Sequence, residues 1–163
     1  MKNITKRLLL PLCLLLLLTG CSSTTNQKSD DVFQYKGSLI GDNSAVIHII
    51  EQLPYAEKFH EVSLETKTQP YGMTIMYENI DTEMAEREYE EAAVYNASYL
   101  FTLIDNVEWV VFDFEGHSYK MSKSKLEDWY GKELHEFTNE NELQTLIQRM
   151  FEQDSELHQL FTE

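Results

Sequence analysis

Apolar residues recur with two different periods along this chain, and these periods predict where helices and strands lie. Between positions 46 and 53 the apolar residues follow helical spacing, which predicts a helix with one buried face. Asp42, Asn43 and Ser44 precede this segment and favour a helix N-terminus, because their short side chains can accept hydrogen bonds from free backbone N–H groups. Pro54 ends the helix, since proline cannot continue its hydrogen bonding.

Alternating apolar and polar residues predict two β-hairpins. The first joins residues 61–67 to residues 73–77, and the second joins residues 109–114 to residues 118–121 through a glycine-containing turn. The segment that begins at Trp109 is almost wholly apolar. We therefore expect this segment at the centre of a sheet, with Trp109 in the core.

Three further segments have helical patterns. The longest runs from Thr82 to Asp105 with one apolar stripe, and its first half is rich in glutamate, which suits the positive end of the helix dipole. A short helix is predicted over Lys125–Tyr130. A closing helix is predicted after Asn139, because Asn139 and Glu142 resemble a capping box.

The predicted elements follow the order α-β-β-α-β-β-α-α within a single domain that covers residues 32–163. A chain of this length is sufficient for one hydrophobic core. Two adjacent hairpins favour a small antiparallel sheet with helices packed on it. The sequence therefore predicts an α+β fold.

The first 21 residues have a different pattern. Three basic residues precede an apolar run from Leu8 to Leu18, about half of the ~20 residues that cross a membrane as a helix. The run ends in Leu18-Thr19-Gly20-Cys21, which resembles the lipobox of bacterial lipoproteins. The resemblance implies a signal peptide over residues 1–20, cleavage between Gly20 and Cys21, and diacylglycerol with palmitate-type chains on Cys21.

Two other interpretations of this segment stay open, namely a secretory signal with a chance cysteine and an uncleaved membrane helix. With lipidation, two acyl chains would anchor the protein firmly to the outer face of the cell membrane. The cleaved chain would keep one cysteine and no internal disulfide, which suits a Gram-positive lipoprotein. After Cys21, the polar stretch to Asp31 has no apolar periodicity and predicts a flexible tether over residues 21–31.

The charge of the chain is strongly acidic, with 28 acidic and 13 basic residues and a net charge of −15. Three of the basic residues and none of the acidic ones precede Cys21, so the cleaved chain would carry −18. This charge excludes nucleic acid as a partner, and it attracts basic peptides, polyamines or divalent cations. Solubility alone would also account for it.

Candidate chemistry is sparse in this sequence. The five histidines have no metal-ligand spacing, and no serine lies in a nucleophile motif. Asp113 and Glu115 share one face of a strand, but chance pairs are expected among so many acids. We therefore predict no catalytic residue, no metal ligand and no cofactor.

One turn is a candidate binding site. Gly41, Asp42, Asn43 and Ser44 place backbone donors at the start of a helix, and Asp42 would favour a cation or an ammonium group over an anion. Helix capping after a glycine turn explains the same four residues.

Several short motifs together resemble an uncharacterised family, domain of unknown function 4825. The residues that carry the resemblance are Tyr35-Lys36-Gly37, Ile40-Gly41-Asp42-Asn43-Ser44, Leu53-Pro54, Pro70-Tyr71-Gly72, Trp109-Val110 and Leu126-Glu127-Asp128-Trp129-Tyr130-Gly131-Lys132. The resemblance covers roughly residues 33–152. It implies small lipoproteins of spore-forming Gram-positive bacteria, and an extracytoplasmic module sometimes joined to membrane sensor proteases of the BlaR type. It implies no activity.

Together these observations predict a lipid-anchored extracytoplasmic domain that catalyses no reaction. We expect it to bind a membrane-protein partner or an envelope peptide, as a sensor accessory would. Two alternatives stay open, namely a solute- or cation-binding lipoprotein and a cell-wall-acting enzyme.

Overall fold

Four β-strands and four α-helices make up the described part of the computed structural model, which covers residues 31–81, 85–153 and 157–162. The strands are β1 (Phe59–Glu65), β2 (Gly72–Tyr77), β3 (Trp109–Phe114) and β4 (His117–Ser122). The helices are α1 (Asn43–Ile50), α2 (Glu86–Leu103), α3 (Lys123–Tyr130) and α4 (Glu140–Gln153). Shorter 3₁₀ helices lie at Val32–Tyr35, Ala56–Lys58, Leu134–Glu136 and Leu157–Leu160.

The α-helices and strands follow one another in the predicted order, and the 3₁₀ helices are additions that the sequence pattern does not predict. The predicted first residue of the long helix, Thr82, lies outside the described residues. The mixed α+β class is confirmed, while the predicted arrangement of the sheet is only partly correct.

The sheet is mixed and not purely antiparallel. Its strand order is β1-β2-β3-β4, and the antiparallel pairs β1–β2 and β3–β4 are the two predicted hairpins. The central strands β2 and β3 pair in parallel, with Thr74 opposite Val111. This direction follows from the connection between the two strands. Helix α2 returns the chain from the end of β2 to the level where β2 began, and strands joined by such a crossover are parallel.

One face of the sheet holds the hydrophobic core against α2. The ring of Tyr89 on this helix lies 5.3 Å from that of Phe114, measured between centroids. The Asn96 amide donates to the Tyr77 hydroxyl at 3.1 Å. The buried side chains of this covered face are Met73, Ile75, Tyr77, Val110, Phe112, Phe114, Tyr119 and Met121.

Helix α2 is buried on more sides than its single apolar stripe predicts. The buried Ser98 hydroxyl lies 2.7 Å from the Tyr130 hydroxyl of α3. The Tyr99 hydroxyl donates to Glu140 Oε1 of α4 at 3.0 Å. Helices α3 and α4 therefore pack against sides of α2 that the stripe did not mark.

Side chains cap the starts of two helices where the sequence predicts caps. The backbone N–H of Ala45 donates to Asp42 Oδ1, and that of Glu142 donates to Asn139 Oδ1, both at 3.1 Å. Gly131 ends α3 with a φ of 64°, which glycine adopts without strain. None of the helices in the described ranges is long and apolar enough to cross a membrane.

Candidate functional site

The candidate functional surface is the sheet face opposite the core, here called the open face. Because side chains alternate along a strand, the residues next to each core position point to this face. None of them is fully buried except Gly72, so no described helix covers this surface. The open face consists of Glu61, Ser63, Glu65, Gly72, Thr74, Met76, Trp109, Val111, Asp113, Ser118, Lys120 and Ser122.

Trp109 is the largest side chain on the open face. The expectation that it lies in the core is wrong, because its strand alternates and places Val110 inward. Its ring lies against Gly72, where an added Cβ would be 2.1 Å from ring carbons. Its Nε1–H donates to the Pro70 carbonyl oxygen at 3.1 Å. Glycine opposite Trp109 therefore lets the indole lie flat on the sheet.

The charges on the open face are unequal. Lys120 Nζ lies 5.4 Å from the centroid of the Trp109 ring, a cation–π distance. Glu61 and Glu65 are exposed on the outer strand β1, and Asp113 is half-buried on β3. A partly apolar centre is thus bordered by an acidic edge at β1.

The predicted binding turn is an exposed helix cap. All four residues from Gly41 to Ser44 are exposed, and the Asp42 side chain accepts the Ala45 N–H. The preceding Ile40 N–H donates to Asn106 Oδ1 at 2.8 Å, which fixes the turn to the loop before β3. The contacts described for this turn are those of capping. Its proposed role in ligand binding stays a prediction.

The predicted lipidation site lies outside the described residues. Gly20 and Cys21 both precede residue 31, so cleavage between them and acylation of Cys21 stay predictions.

The two acids Asp113 and Glu115 each hold the backbone of a turn. Asp113 Oδ1 accepts the Gly116 N–H at 3.3 Å, and Glu115 Oε2 accepts the Ile80 N–H at 3.1 Å. Their carboxylates therefore stabilise the β3–β4 turn and its contact with the segment after β2.

The structure also brings together three residues that the sequence pattern did not single out. Glu86, Glu90 and His158 each offer one ligand atom, and these atoms lie within 4.8 Å of one another. Glu90 lies one helical turn after Glu86 on α2, and its Oε1 forms a short hydrogen bond with His158 Nδ1. That bond and the charge of Glu90 raise the pKa of His158, and Glu86 adds to the effect.

No sequence signal could have assembled this cluster. Glu86 and Glu90 have the i, i+4 spacing of neighbours on a helix, but this spacing is common among 28 acidic residues. His158 follows 68 residues after Glu90, and only the tertiary fold joins them.

A comparison with protein families gives a match for most of the described domain. The model of the domain of unknown function DUF4825 matches residues 32–125, which include α1, α2 and every strand of the described sheet. The match ends before Leu126–Lys132, so the predicted resemblance of that segment lies beyond it. No curated protein and no solved structure matches the chain. The matched span is more than half of the 163 residues, and the chain therefore belongs to the DUF4825 family.

Proposed function

We propose that this protein is a lipid-anchored extracytoplasmic lipoprotein that binds a membrane-protein partner through its open face and catalyses no reaction. The lipobox-like segment ending at Cys21 supports the anchor. Two acyl chains at that position would hold the domain at the outer surface of the membrane. A tether over residues 21–31, as the sequence predicts, would be short enough to keep the domain near membrane proteins.

The open face is the observation that carries this proposal. A sheet normally buries its apolar side chains against a second layer, yet Met76, Trp109 and Val111 stay half-buried at the centre of this one. Tryptophan and methionine are enriched at protein interfaces, which have an apolar centre and a polar rim. The exposed Glu61, Ser63 and surrounding polar residues supply such a rim.

Charge complementarity indicates a basic segment as the part of the partner that docks. Glu61 and Glu65 line the outer strand without a basic neighbour on the open face of that strand, while Lys120 lies over Trp109 on the far side. The chain as a whole is acidic, with a net charge of −15, and long-range attraction would steer a basic partner to it. Phosphate-rich partners are repelled for the same reason.

Site-specific cross-linking in intact membranes tests the proposal. A photo-cross-linker replaces Ser63, which is exposed on the open face, or Gln148, which is exposed on α4. We expect Ser63 to capture one membrane protein through a segment that contains lysine or arginine, and Gln148 not to capture it. The Cys21→Ala variant should lose the capture, because the domain would no longer be held at the membrane.

A charge-matched pair of variants completes this test. Glu61→Lys with Glu65→Lys reverses the acidic edge, and Glu133→Lys with Glu136→Lys makes the same change in net charge at exposed positions after α3. Only the first pair should abolish capture. An equal loss of capture in both pairs of variants would mean that the interaction depends only on net charge. If an unanchored form replaced the anchored one in every phenotype, the proposed role at the membrane would be wrong.

A further inference from the structure

A second site lies on the helical side of the molecule, at the first two turns of α2. Only 5% of the Glu90 side chain is exposed, whereas 60% of the His158 side chain is exposed. Glu86 is exposed one turn earlier on the same helix. A cavity of about 260 Å³, lined by Glu86, Arg87, Glu90 and His158, gives solvent access to these side chains.

The buried Glu90 carboxylate lacks a permanently charged partner among the described residues. Its ion-pair and hydrogen-bond contact is His158, which is charged only when protonated. Arg87, the basic side chain in the cavity wall, donates instead from Nε to Glu91 Oε1 at 2.7 Å. Buried charges in proteins are paired or coordinate metal ions, so the cavity beside Glu90 and His158 suits a cation that both side chains would ligate.

The electrostatics of the cavity are consistent with a cation despite its position at a helix start. A helix N-terminus carries roughly half an elementary positive charge. The carboxylates of Glu86 and Glu90 together supply two negative charges within 4.8 Å of the imidazole. The negative charge of the two carboxylates is therefore larger than the positive charge at the helix N-terminus.

The donor set then selects the kind of cation. Calcium and magnesium take oxygen ligands almost alone, while zinc accepts imidazole nitrogen together with carboxylate oxygen. A common arrangement in accessible zinc sites is three protein ligands with water in the fourth position. We propose that Glu86, Glu90 and His158 form a zinc-binding site with one position left to water.

Zinc would bind with small movements of exposed groups. Bonds of about 2.0–2.2 Å to nitrogen and oxygen bring tetrahedral ligand atoms to roughly 3.4 Å from one another, compared with the 4.8 Å spread of the present set. Rotation of the exposed Glu86 and His158 side chains closes that difference, while Glu90 stays fixed in the helix. The bound ion would join the Leu157–Leu160 3₁₀ helix to α2. His158 follows the family match, which ends at residue 125, and none of the three ligands belongs to the open face.

Isothermal titration with zinc chloride tests the site directly. The chain as the cell produces it is purified from membranes in detergent without a polyhistidine tag, any free thiol is alkylated with iodoacetamide, and bound metal is removed with EDTA. We expect one saturable site and a higher melting temperature with zinc. His158→Ala and Glu90→Gln should each weaken zinc binding at least tenfold, and circular dichroism checks that both variants fold.

Two further variants keep the test informative. Glu86→Gln changes an exposed ligand and should also weaken zinc binding, even where the buried Glu90→Gln variant does not fold. His135→Ala is the matched control, because His135 Nδ1 lies 3.1 Å from Glu133 Oε2 and both side chains of this pair are exposed. This variant should leave zinc binding unchanged.

Three results would overturn the zinc site. The first is weak, unsaturable binding that is equal in all variants, which would reduce the effect to general acidity. The second is a loss of binding in His135→Ala as large as in His158→Ala. The third is calcium binding as strong as zinc binding and unaffected by His158→Ala, which would indicate an oxygen-only site.

Discussion

The two faces of the sheet are formed by the same strands but differ in how far their side chains are buried. On the covered face Phe112 is fully buried and packs beneath α2, while its neighbour Val111 is half-buried on the open face. The aromatic cluster of Tyr77, Tyr89 and Phe114 lies entirely on the covered side. The comparison shows that the described helices form the core on one face of the sheet, while no described helix covers the other face.

The largest difference between the faces is expected for adjacent residues of β3. Phe112→Ala should lower the free energy of unfolding by about 3–5 kcal/mol, because it removes a fully buried ring and leaves a cavity. Val111→Ala should cost about 1 kcal/mol or less, which is the range of strand propensities at partly exposed positions. Urea unfolding measures both. Equal losses would mean that the open face is covered by a second layer in solution.

The sequence predicts the hairpins because each depends on alternation between neighbouring residues. It does not predict the parallel pairing of β2 with β3, because that pairing depends on the direction in which α2 returns the chain. The inward and outward positions of β3 were also hard to distinguish, since Trp109 and Val111 are as apolar as Val110 and Phe112. This is why the sequence pattern predicts Trp109 in the core.

The candidate sites also differ in whether a local sequence pattern can predict them. Asp42 and Asn139 act as caps within a few residues of the helices they cap, so a local pattern finds them. The approach of His158 to Glu90 joins positions 68 residues apart, and the open face joins four strands. Both arise from tertiary packing and leave no spacing signal in the chain.

The next prediction concerns the contact between Gly72 and Trp109. In Gly72→Ala the new Cβ would lie 2.1 Å from the indole ring, so the ring must leave the sheet and lose its hydrogen bond to Pro70. Overpacking of this kind typically costs about 1–3 kcal/mol. With Trp129→Phe as background, the fluorescence of Trp109 should shift to longer wavelength. An unshifted spectrum with unchanged stability would contradict the close contact.

A smaller effect on the covered side comes from the buried tyrosines. Burial raises the pKa of Tyr77 and Tyr130, and burial with the nearby Glu86 and Glu90 raises the pKa of Tyr119 to about 12. The unfolded chain ionises near pH 10, whereas the folded chain keeps these hydroxyls protonated. The stability that these raised pKa values give the folded chain is therefore complete below pH 10. It is lost as the pH rises through the higher pKa values of the folded chain.

Tyr130→Phe isolates one of these groups. At pH 7 the variant should lose about 1 kcal/mol, because it loses the hydrogen bond to the Ser98 hydroxyl 2.7 Å away, while that hydroxyl keeps its bond to the Val94 carbonyl oxygen. Above pH 10 its stability should fall less steeply than that of the wild type, since one titrating group is gone. Urea unfolding at pH 7 and pH 11 gives both values. Parallel pH profiles for the two proteins would refute the assignment.

The smallest effect is expected for Lys120 on the open face. Its contact with Trp109 at 5.4 Å is exposed, and cation–π contacts of this kind contribute about 0.5–1 kcal/mol. Lys120→Ala should therefore reduce stability by no more than this amount, and the loss should disappear in a Trp109→Ala background. The same substitution removes the one positive charge of the open face, so a basic partner should bind it more tightly than the wild type. Weaker capture by Lys120→Ala in the cross-linking experiment would mean that the partner segment is acidic, and the charge argument for the open face would then be wrong.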